Sequence, residues 1–77
     1  MRVKVKLLSV FAAYAREDVD GLTTMRDGGT VRVLAETLGL PMDQVRIITA
    51  NGRQVFLDEP LSDGDEVVFF PPAFGGG

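Results

Sequence analysis

The chain has 77 residues, a formal net charge of −3, and a composition that is 45% hydrophobic and 25% charged, which makes one small globular domain and excludes a disordered chain. The acidic balance excludes a phosphate-backbone binder, which needs a basic face, and is compatible with docking onto a basic partner surface. Cysteine and histidine are both missing, so there is no disulfide, no thiol nucleophile, no thiolate or imidazole metal ligand and no ordinary neutral-pH general base.

Met1 to Lys6 runs directly into a strand pattern, without the apolar core of a signal peptide. No segment reaches the roughly 18 consecutive apolar residues that a membrane span needs. A cytoplasmic protein with no nucleic-acid and no membrane partner is therefore expected. Arg2 to Leu8 alternates Arg2, Lys4 and Lys6 with Val3, Val5 and Leu7, the pattern of a half-buried strand. Phe11, Tyr14 and Ala15 fall at helical spacing and predict a short helical turn. Glu17 to Asp27 carries the weakest signal; within it, Gly21 to Met25 is a candidate hairpin partner for the first strand.

Asp27-Gly28-Gly29-Thr30 predicts a turn that ends in an N-cap threonine. Val31, Leu34, Ala35 and Leu38 then follow at i, i+3, i+4 and i+7, one apolar stripe on a short helix. Gly39 supplies a left-handed cap, and Pro41 blocks continuation. Val45 to Ala50 and Arg53 to Leu57 read as strands joined by the Asn51-Gly52 turn. After a turn at Asp63-Gly64-Asp65, Glu66 to Phe70 is the last strand. Pro71-Pro72 stops it, since neither proline can donate to a ladder. The expected fold is α+β: a ubiquitin-like β-grasp, with a mixed sheet and one main helix on one face. Residues 1–72 would form that domain and residues 73–77 a flexible glycine tail.

The candidate functional residues cluster at this end. A glycine terminus has no side chain, so it passes down a narrow channel and takes backbone angles closed to other residues. A glycine-rich end is also what any frayed terminus looks like, so the tail by itself decides little. Side chains of the last strand alternate faces. Val67 and Phe69 are expected to meet the helix stripe, which leaves Val68 and Phe70 for loop burial or for a partner. The acidic stretch Asp58 to Glu66 lacks the alternating oxygen-ligand spacing of a calcium loop and reads as a solvated turn. Gly28-Gly29 lacks the ending of a phosphate-binding loop. No metal site is expected.

Leu61-Ser62-Asp63-Gly64-Asp65-Glu66-Val67-Val68-Phe69-Phe70-Pro71-Pro72, followed by glycines, closely resembles the C-terminal pattern of the MoaD/ThiS family. That pattern is a leucine, a polar pair, Gly-Asp-Glu-Val, an apolar residue, Phe-Phe-Pro-Pro, two variable residues and a terminal Gly-Gly. Val31 to Val55 is also similar, notably Val45-Arg46-Ile47-Ile48 and Asn51-Gly52. The resemblance implies a sulfur carrier. Its terminal glycine, here Gly77, would be adenylated and converted to a thiocarboxylate, with Gly75 and Gly76 as a thin leader and Val68, Phe70, Pro71, Pro72 and Phe74 contacting the partner. It implies no cofactor bound by this chain, ATP and magnesium being used by an activating partner related to ubiquitin-activating enzymes (MoeB/ThiF type). It implies that the chain is a sulfur-donating small subunit and not a catalyst alone. The Phe-Phe-Pro-Pro tail favours molybdopterin synthesis, with a large synthase subunit of MoaE type as acceptor. Thiamin thiazole or cysteine synthesis, a ubiquitin-like modifier joined to lysines, and a non-covalent interaction domain are the alternatives. Counted from Phe70-Pro71-Pro72, the family pattern ends at Gly76. Gly77 then either adds roughly 3.5 Å of reach or is trimmed away.

Overall fold

The alternation at the N-terminus builds β1 (Arg2–Leu7), with Val3 and Val5 buried and Lys4 and Lys6 exposed. The structure, a computed structural model, describes residues 1–72. After β1 a 3₁₀ turn, Ser9–Tyr14, seats Phe11 wholly in the core. The short β2 (Thr23–Thr24) returns antiparallel to β1, with Arg2 opposite Thr24 and Val3 opposite Thr23. The α-ammonium of Met1 closes that hairpin by donating to Met25 O and to the Asp27 carboxylate, both at 2.7 Å.

The helix α1 (Val31–Leu38) starts where Thr30 Oγ1 accepts from Val33 N–H, at 3.4 Å. It ends at Gly39, whose φ of 76° is the left-handed conformation a Cβ opposes. Its stripe Val31, Leu34, Ala35 and Leu38 is buried. Then come β3 (Ile47–Ala50), β4 (Arg53–Val55) and β5 (Glu66–Phe70). Asn51 and Gly52, at φ 54° and 84°, form the tight hairpin between β3 and β4.

The five strands make one mixed sheet in the order β2-β1-β5-β3-β4. The last strand is thus the middle one, parallel to β1 and antiparallel to β3. One core lies between sheet and helix and includes Val3, Phe11, Leu34, Leu38, Ile48, Val67 and Phe69. No helix among the described residues is long and apolar enough to cross a membrane.

Three expected boundaries move. Val45 does not open β3, because its N–H closes a 3₁₀ turn, Met42–Gln44, by donating to Met42 O at 3.2 Å. The strand expected to reach Leu57 ends at Val55, since the chain turns there and Glu59 N–H donates to Phe56 O. The pairing expected over Gly21 to Met25 narrows to two residues, and an Asp18-centred turn takes the rest: Asp18 Oδ1 accepts from Asp20 N–H and Leu22 N–H at 2.9 and 3.2 Å.

Phe69 and its neighbour Phe70 should therefore respond very differently to truncation. Phe69 is wholly buried and Phe70 only half-buried. Phe69→Ala is expected to cost about 3–5 kcal/mol in urea unfolding, a large share of what a domain this small holds. Phe70→Ala should cost clearly less and leave the chain folded. Equal losses in the two variants would contradict the alternation assigned to β5.

Candidate functional site

β5 serves the core with one face and the outside with the other. Val67 and Phe69 point inward and are fully buried, while Val68 and Phe70 are half-buried on the opposite face. That alternation is the one expected from the sequence. The register then fixes what surrounds them. Lys4 lies opposite Glu66 and Lys6 opposite Val68 on the β1 side. On the β3 side Thr49 lies opposite Val68 and Ile47 opposite Phe70, and Gln54 of β4 continues the row from Thr49. Directly opposed side chains sit about 4.5–5.5 Å apart at Cβ, so these rows are contiguous surface.

The outer face therefore grades along the strands. Its far end is charged, with Lys4 Nζ 3.4 Å from Glu66 Oε2. Its near end, where the chain leaves the sheet, is apolar: Phe70 beside Ile47, which is 50% exposed. Ile47, Thr49 and Lys6 belong to this surface and are residues the sequence reading left out. The signal was present in Ile47-Ile48, two adjacent apolar residues in a strand, one of which has to face outward.

Pro71 and Pro72 follow Phe70 directly and are half-buried. Neither has an N–H, so the ladder ends there. A residue preceding proline is held extended, which directs Phe70 and Pro71 onward along the line of β5. Phe74, Gly75, Gly76 and Gly77 lie outside the described residues.

The start of β5 is locked by a polar clasp. Asn51 Nδ2 donates to Asp65 Oδ1 at 3.0 Å, Ser62 N–H donates to Asp65 Oδ2 at 2.8 Å, and Glu66 N–H donates to Asn51 Oδ1 at 2.9 Å. The Asn51 amide, and after it the Ser62 amide, lower the Asp65 pKa below the usual carboxylate value. The neighbouring acids have structural partners too. Arg2 N–H donates to Asp63 Oδ1 at 2.8 Å, Arg32 pairs with Asp58 at 3.0 Å, and Arg53 lies 3.5 Å from Glu59. The acidic stretch is thus a set of turn and surface contacts. On the other side of the molecule an open recess lined by Thr24, Met25, Val33, Glu36 and Thr37 holds no nucleophile beyond threonine hydroxyls and is remote from the end of β5.

The fold defines a ubiquitin-like β-grasp protein with an apolar surface where β5 ends. The chain belongs to the ThiS family, whose match covers residues 8–76. It is 35% identical to the molybdopterin synthase sulfur carrier subunit of Escherichia coli (strain K12), over 87% of this chain and 95% of that protein. Among solved structures it is similar to a Pyrococcus furiosus protein assigned as molybdopterin converting factor, subunit 1. That likeness has a TM-score of 0.68 and 30% identity, over 94% of this chain and 98% of the other. It also shares its fold with SAMP1 from Haloferax volcanii, at a TM-score of 0.69 and 22% identity, over 99% and 100% of the two chains.

The clasp gives a pH signature. Because the folded state lowers the Asp65 pKa, its contribution is complete above the unfolded value of about 3.9 and fades as pH falls through the lower folded value. Asp65→Asn should unfold at lower urea concentration than the parent at neutral pH, and the gap should close in strong acid. Parallel urea curves across the acid range check this; a gap that is constant with pH would rule the clasp out as the cause.

Proposed function

We propose that this chain is a sulfur carrier whose working group is the carboxylate of Gly77, acting in molybdopterin synthesis. The observation that carries the reading is the 35% identity to the Escherichia coli sulfur carrier subunit across 95% of its length. The Pyrococcus furiosus likeness and the arrangement of β5, which ends in Phe70-Pro71-Pro72 at an apolar exit, add support.

A free carboxylate is a poor acylating group. Attack of its oxygen on the α-phosphorus of ATP gives an acyl adenylate and releases pyrophosphate. A sulfide-level sulfur nucleophile then adds to the carbonyl carbon, and the bond from that carbon to the adenylate oxygen breaks. AMP leaves, and a thiocarboxylate remains. In a second enzyme that sulfur transfers to a pterin precursor. The chain supplies no acid, base or metal to either step. Its part is to bring a thin carboxylate to two successive active sites, which is proximity catalysis carried out for its partners. Those partners are an adenylating enzyme of MoeB/ThiF type, which holds the ATP and magnesium, and a large synthase subunit of MoaE type. The reading sets the protein in the cytoplasm, where ATP-driven activation takes place. Val68, Phe70, Pro71 and Pro72 contact the partner, with Phe74, Gly75 and Gly76 leading to the reactive end.

Two measurements test this. The protein purified from its native cell should include a species heavier by the difference between sulfur and oxygen, and the same mass tells whether Gly77 is kept. With the adenylating enzyme, the chain should support ATP–pyrophosphate exchange, and one residue added after Gly77 should abolish it. Unaltered exchange in the extended chain would refute a role for this carboxylate, and conjugates to other proteins in place of the sulfur species would move the reading to a protein modifier.

A further inference from the structure

An activated carboxyl group at Gly77 would be open to attack by any amine within its reach, including those of its own chain. Of the eight lysine and arginine residues only Lys4 and Lys6 are lysines. The guanidinium of an arginine stays protonated in a protein and is no nucleophile. The third amine, the α-ammonium of Met1, is held by Met25 O and Asp27 at the end of the sheet remote from the strand exit. At the exit itself, continuation of the β3–β5 register sets Arg46, not a lysine, beside Pro71.

Lys4 and Lys6 are both exposed on β1, but they differ in pairing and in distance from the exit. Lys4 is opposite Glu66, and its Nζ lies 3.4 Å from Glu66 Oε2. Lys6 is opposite Val68 and has no ion pair among the described residues. Measured along β5, Val68 is about 13 Å before Pro72 and Glu66 about 20 Å. Residues 73–77, fully extended, reach at most about 17 Å from Pro72. With two residues taken up in a reversal of direction, the other three return about 10 Å along the sheet. That leaves about 3 Å along the strand and one strand spacing of about 4.8 Å across to β1, which the four-carbon stem of Lys6 spans. For Lys4 the distance left along the strand is about 10 Å, and the stem is too short.

We propose that Lys6 is a self-acylation site: Gly77, activated as an adenylate and not intercepted by sulfur, closes onto Lys6 of the same chain as an isopeptide. This rests on the sulfur-carrier reading, which supplies the adenylate, and adds a second fate for it. The neutral amine of Lys6 attacks the Gly77 carbonyl carbon, and the bond from that carbon to the adenylate oxygen breaks. AMP leaves with the bonding pair, and the amine proton passes to water. The product is a ring, one water lighter than the open chain. Tethering gives the amine a millimolar effective concentration, which a lysine of another copy at micromolar concentration does not match. The ring forms off the activating enzyme, because a tail held in that enzyme's acyl site cannot fold back on its own sheet. A thiocarboxylate acylates far less readily than an adenylate, so sulfur transfer takes the chain out of this route. The ring thus records activation without sulfur, and a chain so closed has no carboxylate left to activate.

The test combines the chain with a MoeB/ThiF-type adenylating enzyme, ATP and magnesium, without a sulfur source, and follows intact mass together with AMP release. The parent should accumulate a monomer one water lighter, and tandem mass spectrometry should locate the new amide between Lys6 and Gly77. Lys6→Arg, which keeps the charge, should lose that species, measured per AMP released. Lys4→Arg should form it as the parent does. Adding a sulfide-level sulfur source should replace it with the thiocarboxylate. ATP–pyrophosphate exchange in the parent with no lighter monomer overturns the proposal and leaves the carrier reading standing. A lighter monomer that persists in Lys6→Arg, or chains joined to one another in place of the ring, does the same. If the parent supports no exchange at all, the carrier reading falls first, and the self-acylation with it.

Discussion

The parallel pairing of β1 with β5 is the constraint on which the rest of the domain depends. It joins the first strand of the chain to the last and puts the last at the centre of the sheet. Every other element is arranged about that pair. β3 covers the second side of β5, and the helix lies over Val67 and Phe69. Once β5 is central, both of its edges are hydrogen-bonded and both of its faces are committed, one to the core and one to the outside. The chain then has one way to leave the sheet, along the axis of β5, and the two prolines fix the point at which it does so.

A central strand with an apolar outer face is a liability unless something covers it, because exposed apolar strands invite aggregation. Here the risk is limited by lysines. Lys4 and Lys6 stand on the same face as Val68 and Phe70, and charge beside an apolar patch discourages unselective contact while steering a complementary partner. Asp65, Asp63 and Asp18 lie in turns and accept backbone hydrogen bonds, while Glu66 stands on the face itself, 3.4 Å from Lys4.

The elements with strong periodicity were legible before the structure. The Val31-Leu34-Ala35-Leu38 stripe, the Thr30 cap, the Gly39 stop, the Asn51-Gly52 turn and the alternation of β5 follow from local chemistry, and each is found where the sequence set it. What was not legible depends on contacts distant in sequence. β2 has only two paired residues and is held by Arg2, whose guanidinium reaches both Asp18 and Asp20; no local pattern encodes that. The 3₁₀ turn at Met42–Gln44 takes Val45 out of a strand for which its β-branched side chain is well suited. The site was legible to the same degree. Val68 and Phe70 could be assigned to the outer face from alternation alone, while Ile47 and Lys6 became neighbours of these residues only through the register.

The arrangement of β5 also has a mechanical side. Traction on the chain beyond Pro72 is applied along the strand. The antiparallel bonds to β3 lie across that direction, and the parallel bonds to β1 are slanted to it. Force along β5 therefore shears two ladders at once, and the bonds share the load where a peeled edge strand would lose them one after another. The last strand of the domain is gripped from both sides, so a load along it meets both ladders together.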